Sequence, residues 1–502
     1  MKVIKPTNAA ISRRKFFDAT GKYTVGSLAA LGMLGSPYVN SQARLPADQT
    51  GSSLISNLSR FIATMRYDTI PPTVLESAKI AVMDCLGVAV AGAREESAQI
   101  TGRLARDEAA KEEATIYGQR FKSSVVQAAF VNGTAAHAHD FDHSFVVGGQ
   151  PTAPIIPAVF SLGESLAVSG KQILEAYIAG FEVAAALIFA VQGAGGGGWH
   201  ANGTIGSFGA SAACAKLLGL KESEIEMALA MAASMASGVT SNFGTMTKPL
   251  HVGQAARNGI LSVRLAKSGF TANPQTLEVR NGFFDSYYPG GKPDPAPIEA
   301  LGRVYAMEKY GVRFKPYPCG GLTHTAIYAT IRLRNEHQIT PELVEHVDVE
   351  VPADTAAPLV FRVPRTGLEG KFSMPYLIAR ALTDAKVTLE TFTDEAVRNK
   401  DVLQLLDKVE MKVDPKLQSG SDGSRPATVT IKVKNGQPQT LHEKFPKGSP
   451  QVPMTHDELV AKFRACVRGV LTETSSARAL GYVSKLETMA SIRPLTKLLG
   501  GA

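Results

Sequence analysis

Between Gly195 and Gly259 the 502-residue chain sets two polar clusters into an otherwise small-residue, apolar stretch. The first, ending on Thr204, carries His200 beside the only tryptophan, Trp199. The second, Thr247 to Gly253, carries Lys248 and His251. Each opens an Ala-rich run that reads as a buried helix, and buried ionisable groups are costly unless paired or used. His200 stands at a helix entrance near Asn202 and Thr204, where general acid/base work competes with the ordinary core histidine. Lys248, flanked by apolar residues, suits holding a carboxylate or stabilising an enolate.

Two further blocks belong with these. Asn132 to Ser144 holds His137, His139, Asp140, Asp142, His143 and Ser144. On a continuous helix His139 would share a face with His143, and Asp140 with Ser144. Such density suggests metal, but no second His/Cys cluster completes a site, so no metal is expected and most of these groups read as supporting or surface residues. The last block, Lys315 to His324, is a rigid Pro-Tyr-Pro-Cys-Gly-Gly turn that delivers His324 to a helix start. That placement suits an anion, with capping or packing as the plainer role. The glycine run Gly193 to Gly198 has no following Gly-Lys-Ser/Thr and no preceding strand, which excludes a P-loop.

The elements that must hold these side chains change character once. Apolar residues recur at helical spacing from Leu54 to Met65 and after Pro71-Pro72. They do so again over Val125 to Ala136, Ile155 to Ser169, Ile173 to Val191, Ser207 to Leu218, Ser223 to Ala236 and Val252 to Ser268. Beyond Tyr310, alternation over Val347 to Val351, Lys408 to Val413 and Ala427 to Val433 predicts strands, with helices at Thr323 to Asn335 and Pro375 to Leu382. The fold class expected is mainly α. A large all-α helical domain over 44–310 carries a smaller α+β lid over 311–450, and C-terminal helices over 451–502 rejoin the helical domain.

Residues 1–43 read as an export signal: Ser12-Arg13-Arg14-Lys15-Phe16, a weakly apolar stretch from Tyr23 to Leu34, then Ser41-Gln42-Ala43 before Arg44. The twin-arginine export machinery and the bacterial periplasm are the implied partner and compartment. This segment holds six of the 53 Lys+Arg and one of the 45 acids, so the formal charge of +8 falls to +3 without it. That is no footprint for nucleic acid. No stretch of about 18 uninterrupted apolar residues predicts a membrane span, so no stable membrane association is expected. The four cysteines, Cys85, Cys214, Cys319 and Cys466, show no CxxC and no metal spacing. They read as core thiols, with a disulfide allowed in an oxidising compartment and Cys319 the one open to reactivity.

Ordered motifs run along the chain: Asp84-Cys-Leu-Gly87, Asn132-Gly-Thr-Ala135, Tyr177-Ile-Ala-Gly-Phe-Glu182, Gly198-Trp-His200, Lys248-Pro-Leu-His-Val-Gly253, Ala255-Ala-Arg-Asn-Gly259 and Phe372-Ser-Met-Pro-Tyr376. Together they resemble the MmgE/PrpD family, which includes 2-methylcitrate dehydratase and cis-aconitate decarboxylase. The resemblance implies a helical domain with an α+β lid, a homodimer and a cofactor-independent enzyme. Its site positions fall on Asp140, Ser144, His200, Lys248, His324 and Tyr376. The expected activity is a dehydratase-like lyase acting on a small di- or tricarboxylate. His200 would be acid/base, Lys248 and His324 would hold carboxylates, Asp140 would orient them, and Ser144 and Tyr376 would touch substrate. The two histidines could exchange roles. An isomerase or epimerase, or a periplasmic carboxylate-binding pseudoenzyme, are the rival readings. Two departures stand out: Gln150-Pro151 where the family commonly has His-Pro, and Asp142-His143-Ser144 in place of Asp-Asp-Thr. Gln150 donates a hydrogen bond but carries no proton or charge, which predicts weak activity on the two standard substrates.

Overall fold

The computed structural model describes residues 53–146, 148–194, 197–420 and 422–501, so the expected export signal lies outside the described residues. The helical part opens with α1 (Leu54–Thr64), α2 (Pro72–Gly92) and α3 (Glu96–Asp107). Ser53 caps α1 through its side chain, and Pro72 supplies a preset first turn to α2. A short hairpin, β1 (Ala114–Ile116) and β2 (Phe121–Ser123), leads into α4 (Val125–Ala138), which Ser124 caps. Then come α5 (Thr152–Leu166), α6 (Gly170–Ala190), α7 (Ala201–Leu218), α8 (Glu222–Met235) and α9 (Thr247–Lys267).

Helix α6 is long and apolar enough to cross a membrane, yet 89% of its most apolar window is buried inside the protein, as in a core helix. Helices α4 and α9 cross closely because glycine stands on both. A Cβ on Gly133 would lie 2.8 Å from the Gly253 Cα, and one on Gly253 would lie 2.3 Å from the Phe130 carbonyl. That crossing sets His137 and Lys248 side by side.

The lid has its own hydrophobic core, built from residues between Tyr317 and Ile431. Its sheet has the order β6-β5-β7-β8, with β5 (Val344–Val351) parallel to β6 (Val409–Val413) and antiparallel to β7 (Ala427–Val433). Val347, Val349 and Val351 are buried on one face beneath α10 (His324–Glu336) and α11 (Met374–Asp384). The fourth strand, β8 (Gln439–Glu443), escaped the sequence reading because none of its residues is buried and so no apolar alternation marks it. The C-terminal helices α12 (His456–Val467), α13 (Glu473–Ser484) and α14 (Arg493–Leu499) contribute Phe463, Val483 and Leu495 to the helical core. A two-residue ribbon stitches lid to helical part: β3 (Ser144–Phe145) pairs antiparallel with β4 (Val312–Arg313).

All four cysteines are free and buried. Burial pushes the Cys319 thiol up to about 12, which removes the reactivity its turn suggested.

Candidate active site

A cavity of about 280 Å³ opens where the helical part, the ribbon and the lid meet. Its lining includes Asp140, Ser144, Gln150, Trp199, His200, Lys248, Arg313, Lys315, Phe372 and Arg425. Four of these lining residues carry basic side chains and one, Asp140, is an acid. A site so biased attracts and holds an anion.

Asp140 is the hub. Its Oδ1 accepts from Lys315 Nζ at 2.6 Å and lies 3.2 Å from Lys248 Nζ. Burial alone would raise its carboxyl, but the two ammonium groups hold it well below the usual carboxylate range. Lys248 is pushed down by burial, and Asp140 only partly restores it. Burial pushes Lys315 down, but Asp140 and Asp142 together more than offset it and hold the ammonium above its ordinary value. Lys248 Nζ also donates to His137 Nε2 at 2.9 Å. His137 therefore carries its proton on Nδ1, which faces Asp142 at 2.9 and 3.0 Å. Burial, with Lys248, keeps that ring neutral against the pull of Asp142.

His200 caps the start of α7, its backbone N–H donating to the Gly238 carbonyl at 2.9 Å. Its Nδ1 faces His251 Nδ1 at 3.1 Å, and the ring packs edge-on against Phe243. No partner among the described residues claims Nε2. Burial, then Lys248, presses its pKa well below the ordinary value, so the ring is neutral, and in the tautomer whose Nδ1 donates to His251 the Nε2 is free to take a proton.

Gln150 is fixed in one orientation. Its backbone N–H donates to Asn202 Oδ1 at 2.7 Å, so the other end of Asn202 is the amide nitrogen, and that nitrogen donates to Gln150 Oε1 at 2.6 Å. The carboxamide NH₂ of Gln150 is what remains for a ligand.

The metal-like density resolves differently. Helix α4 stops at Ala138, and Asp140 has φ +51°, the left-handed region, so the histidines do not share a helical face as the sequence suggested. His137 contacts Lys248 and is not part of the cavity lining. His139 lies 3.7 Å from Glu95, and His143 bridges Asp84 and Thr152 at 2.8 Å each. His137, Asp140 and Asp142 cluster tightly enough for an ion, but two ammonium groups already face the Asp140 carboxylate. Three buried lysines brace the turn. Lys371, Lys315 and Lys462 donate to the carbonyls of His139, Asp140 and Phe141 at 2.7, 2.8 and 2.8 Å.

Of the sequence-derived positions, Asp140, Ser144, Gln150, His200 and Lys248 line one cavity. His324 and Tyr376 do not. His324 is fully buried, with Nε2 3.3 Å from the Cys319 carbonyl and its ring edge-on to Tyr317. Tyr376 is a lid-core residue whose hydroxyl donates to the Thr391 carbonyl. The sequence reading did not place Arg313 or Lys315 in the cavity, nor His137 in contact with Lys248 and with Asp142. Lys315 had a signal, since it opens the rigid turn before His324, but the short ribbon bearing Arg313 left none.

Models of the MmgE/PrpD N-terminal and C-terminal domains match residues 56–296 and 317–488. Similar proteins include cis-aconitate decarboxylase of Mus musculus, 28% identical over 89% of this chain and 94% of that protein. The human protein of the same name is 27% identical over 89% of this chain and 95% of its own length. That of Aspergillus terreus is 28% identical over 89% and 96%. With both domain models matched along most of its length, the chain belongs to the MmgE/PrpD family.

Proposed function

We propose that the protein is a lyase that acts on a small polycarboxylate by moving a proton at a carbon next to a carboxylate. The observation that carries this reading is the cation-rich cavity with a neutral imidazole, His200, beside the Lys248–Asp140–Lys315 cluster. Breaking a bond at that carbon places negative charge on the adjoining carboxylate as an enolate. Lys248 stabilises that charge, Asp140 (itself fixed by Lys315) holds Lys248 in position, and His200 Nε2 exchanges the proton.

The relatives are named as decarboxylases, which makes loss of carbon dioxide the first cleavage to test. Loss of water is a second reading, favoured by Lys248. Dehydration needs an acid for the departing hydroxyl as well as a base for carbon, and this buried ammonium has its pKa pushed down. Gln150 favours an acid with a neutral polar group facing its NH₂ over the standard substrates.

The test is nuclear magnetic resonance in deuterated water with cis-aconitate, 2-methylcitrate and related di- and tricarboxylates. Loss of carbon dioxide or water from at least one acid, abolished in His200→Ala, is expected. Deuterium exchange without either loss would instead make the protein an isomerase or epimerase. Saturable binding with no turnover would make it a carboxylate-binding protein.

A further inference from the structure

Arg313 is a buried cation with no acid of its own. It is 5% exposed and forms no ion pair among the described residues. One Nη donates to the Gly423 carbonyl, and Nε finds no partner. The other cations of the cavity are accounted for: Lys248 and Lys315 share Asp140, and Arg425 pairs with Asp354 at 3.0 Å. The acid whose charge reaches Arg313, Asp422, is committed to Lys444 at 3.0 Å. Burial, then Arg425, lowers the Arg313 guanidinium to about 10, so the fold penalises its charge where it stands.

The ribbon settles where the side chain sits. Ser144 and Arg313 are directly opposed in the antiparallel β3–β4 pair, and opposed residues project from the same face. Both line the cavity that holds His200 and Lys248. Gly423 locks the arrangement from the lid: with φ +77°, it has no room for a side chain, since a Cβ would lie 2.4 Å from Val146 and 2.9 Å from Arg313 Nη2.

An unpaired buried guanidinium is costly, and a planar fork matches a carboxylate better than a lysine does. We propose that Arg313, with the Ser144 hydroxyl beside it, receives a second carboxylate of the substrate, remote from the one held at Lys248. This rests on the polycarboxylate lyase reading and sharpens it: the preferred ligand carries at least two carboxylates, and Arg313 sets that requirement. The residue is a specificity determinant and takes no part in the proton transfer.

The probes are tricarballylate, glutarate and butyrate, with three, two and one carboxylates, titrated against the full chain by thermal-shift dose response. Wild type is expected to favour the first two over butyrate by at least tenfold. Arg313→Gln should weaken tricarballylate and glutarate at least tenfold and change butyrate less than twofold. An unchanged preference for glutarate over butyrate, or equal weakening of all three, overturns the assignment. Should Arg313→Gln fail to fold, Arg313→Lys carries the test. It keeps the charge, loses the fork, and is expected to weaken glutarate at least threefold with butyrate unchanged; equal effects overturn the proposal. Failure of the wild type to bind any of the three acids would sink the polycarboxylate reading itself, a result distinct from binding without discrimination.

Discussion

Replacing Lys248 by Met separates charge from packing. The lysine stem lies near two rings, with Nζ 5.3 Å from the Phe243 centroid and 5.7 Å from that of Phe372, and Met occupies similar space. What disappears is the ammonium that faces Asp140 at 3.2 Å and donates to His137 Nε2 at 2.9 Å. Asp140 keeps Lys315 at 2.6 Å, so no buried carboxylate is left uncompensated. Stranding His137 Nε2 costs about 1–3 kcal/mol, partly offset because a buried ammonium no longer has to be desolvated. The stability loss expected is therefore below about 2 kcal/mol, small enough for the protein to stay folded. A lost charge-assisted contact to substrate is worth about 1.5–3 kcal/mol, or about 10- to 150-fold in kcat/KM, and more if it tightens in the transition state. The pH profile should also change. Lys248 helps hold His137 neutral, so without it the ring is freer to protonate between Asp142 and Asp140, and activity should fall further on acidification. Steady-state kinetics from pH 5 to 9, with a thermal melt of each protein, reads both effects. A change in kcat/KM below twofold with the fold intact would refute the role of Lys248 at the site.

Gln150→His should raise turnover of cis-aconitate or 2-methylcitrate measured by product formation. Unaltered, robust wild-type activity on either would show that position 150 does not set the substrate. Burial pushes His324 down to about 3, so the folded state keeps it neutral while the unfolded chain protonates near its ordinary value of 6.5. Stability should thus be full above pH 6.5 and decline as pH falls toward 3, by up to about 1.4 kcal/mol per unit from this group. Chemical denaturation at pH 7 and 5 should show that loss, with a shallower dependence in His324→Gln. Replacing Arg13 and Arg14 by Lys should leave the protein in the cytoplasm, read by cell fractionation, and unchanged periplasmic recovery would count against an export signal. Analytical ultracentrifugation should find a homodimer, and a monomer at micromolar concentration would contradict the expectation drawn from the family resemblance.

Local pattern carried much of the architecture. Apolar spacing revealed the long helices, because each buries a stripe fixed by its own sequence, and alternation located β7 at Ala427–Val433. Helix starts were read late where small polar residues are buried: α7 begins at Ala201 rather than Ser207, since Asn202, Gly203 and Thr204 are packed inside. Ionisable residues opening apolar helical runs singled out His200 and Lys248, and the family motifs added Asp140 and Ser144. The turn at Asp140 was not legible, because the lysines that brace it stand at 315, 371 and 462, and no local signal links positions so far apart. The same holds for Arg313, which reaches the site through a two-residue ribbon too short for any periodicity. His324 and Tyr376 lie in motifs the sequence marked, yet their side chains are packed against Tyr317 and Thr391, away from the cavity lining. Sequence thus determined which elements form and which residue types gather near the site. Tertiary packing decided which charges meet, because a buried ion's partner depends on distances across the fold that spacing along the chain does not encode.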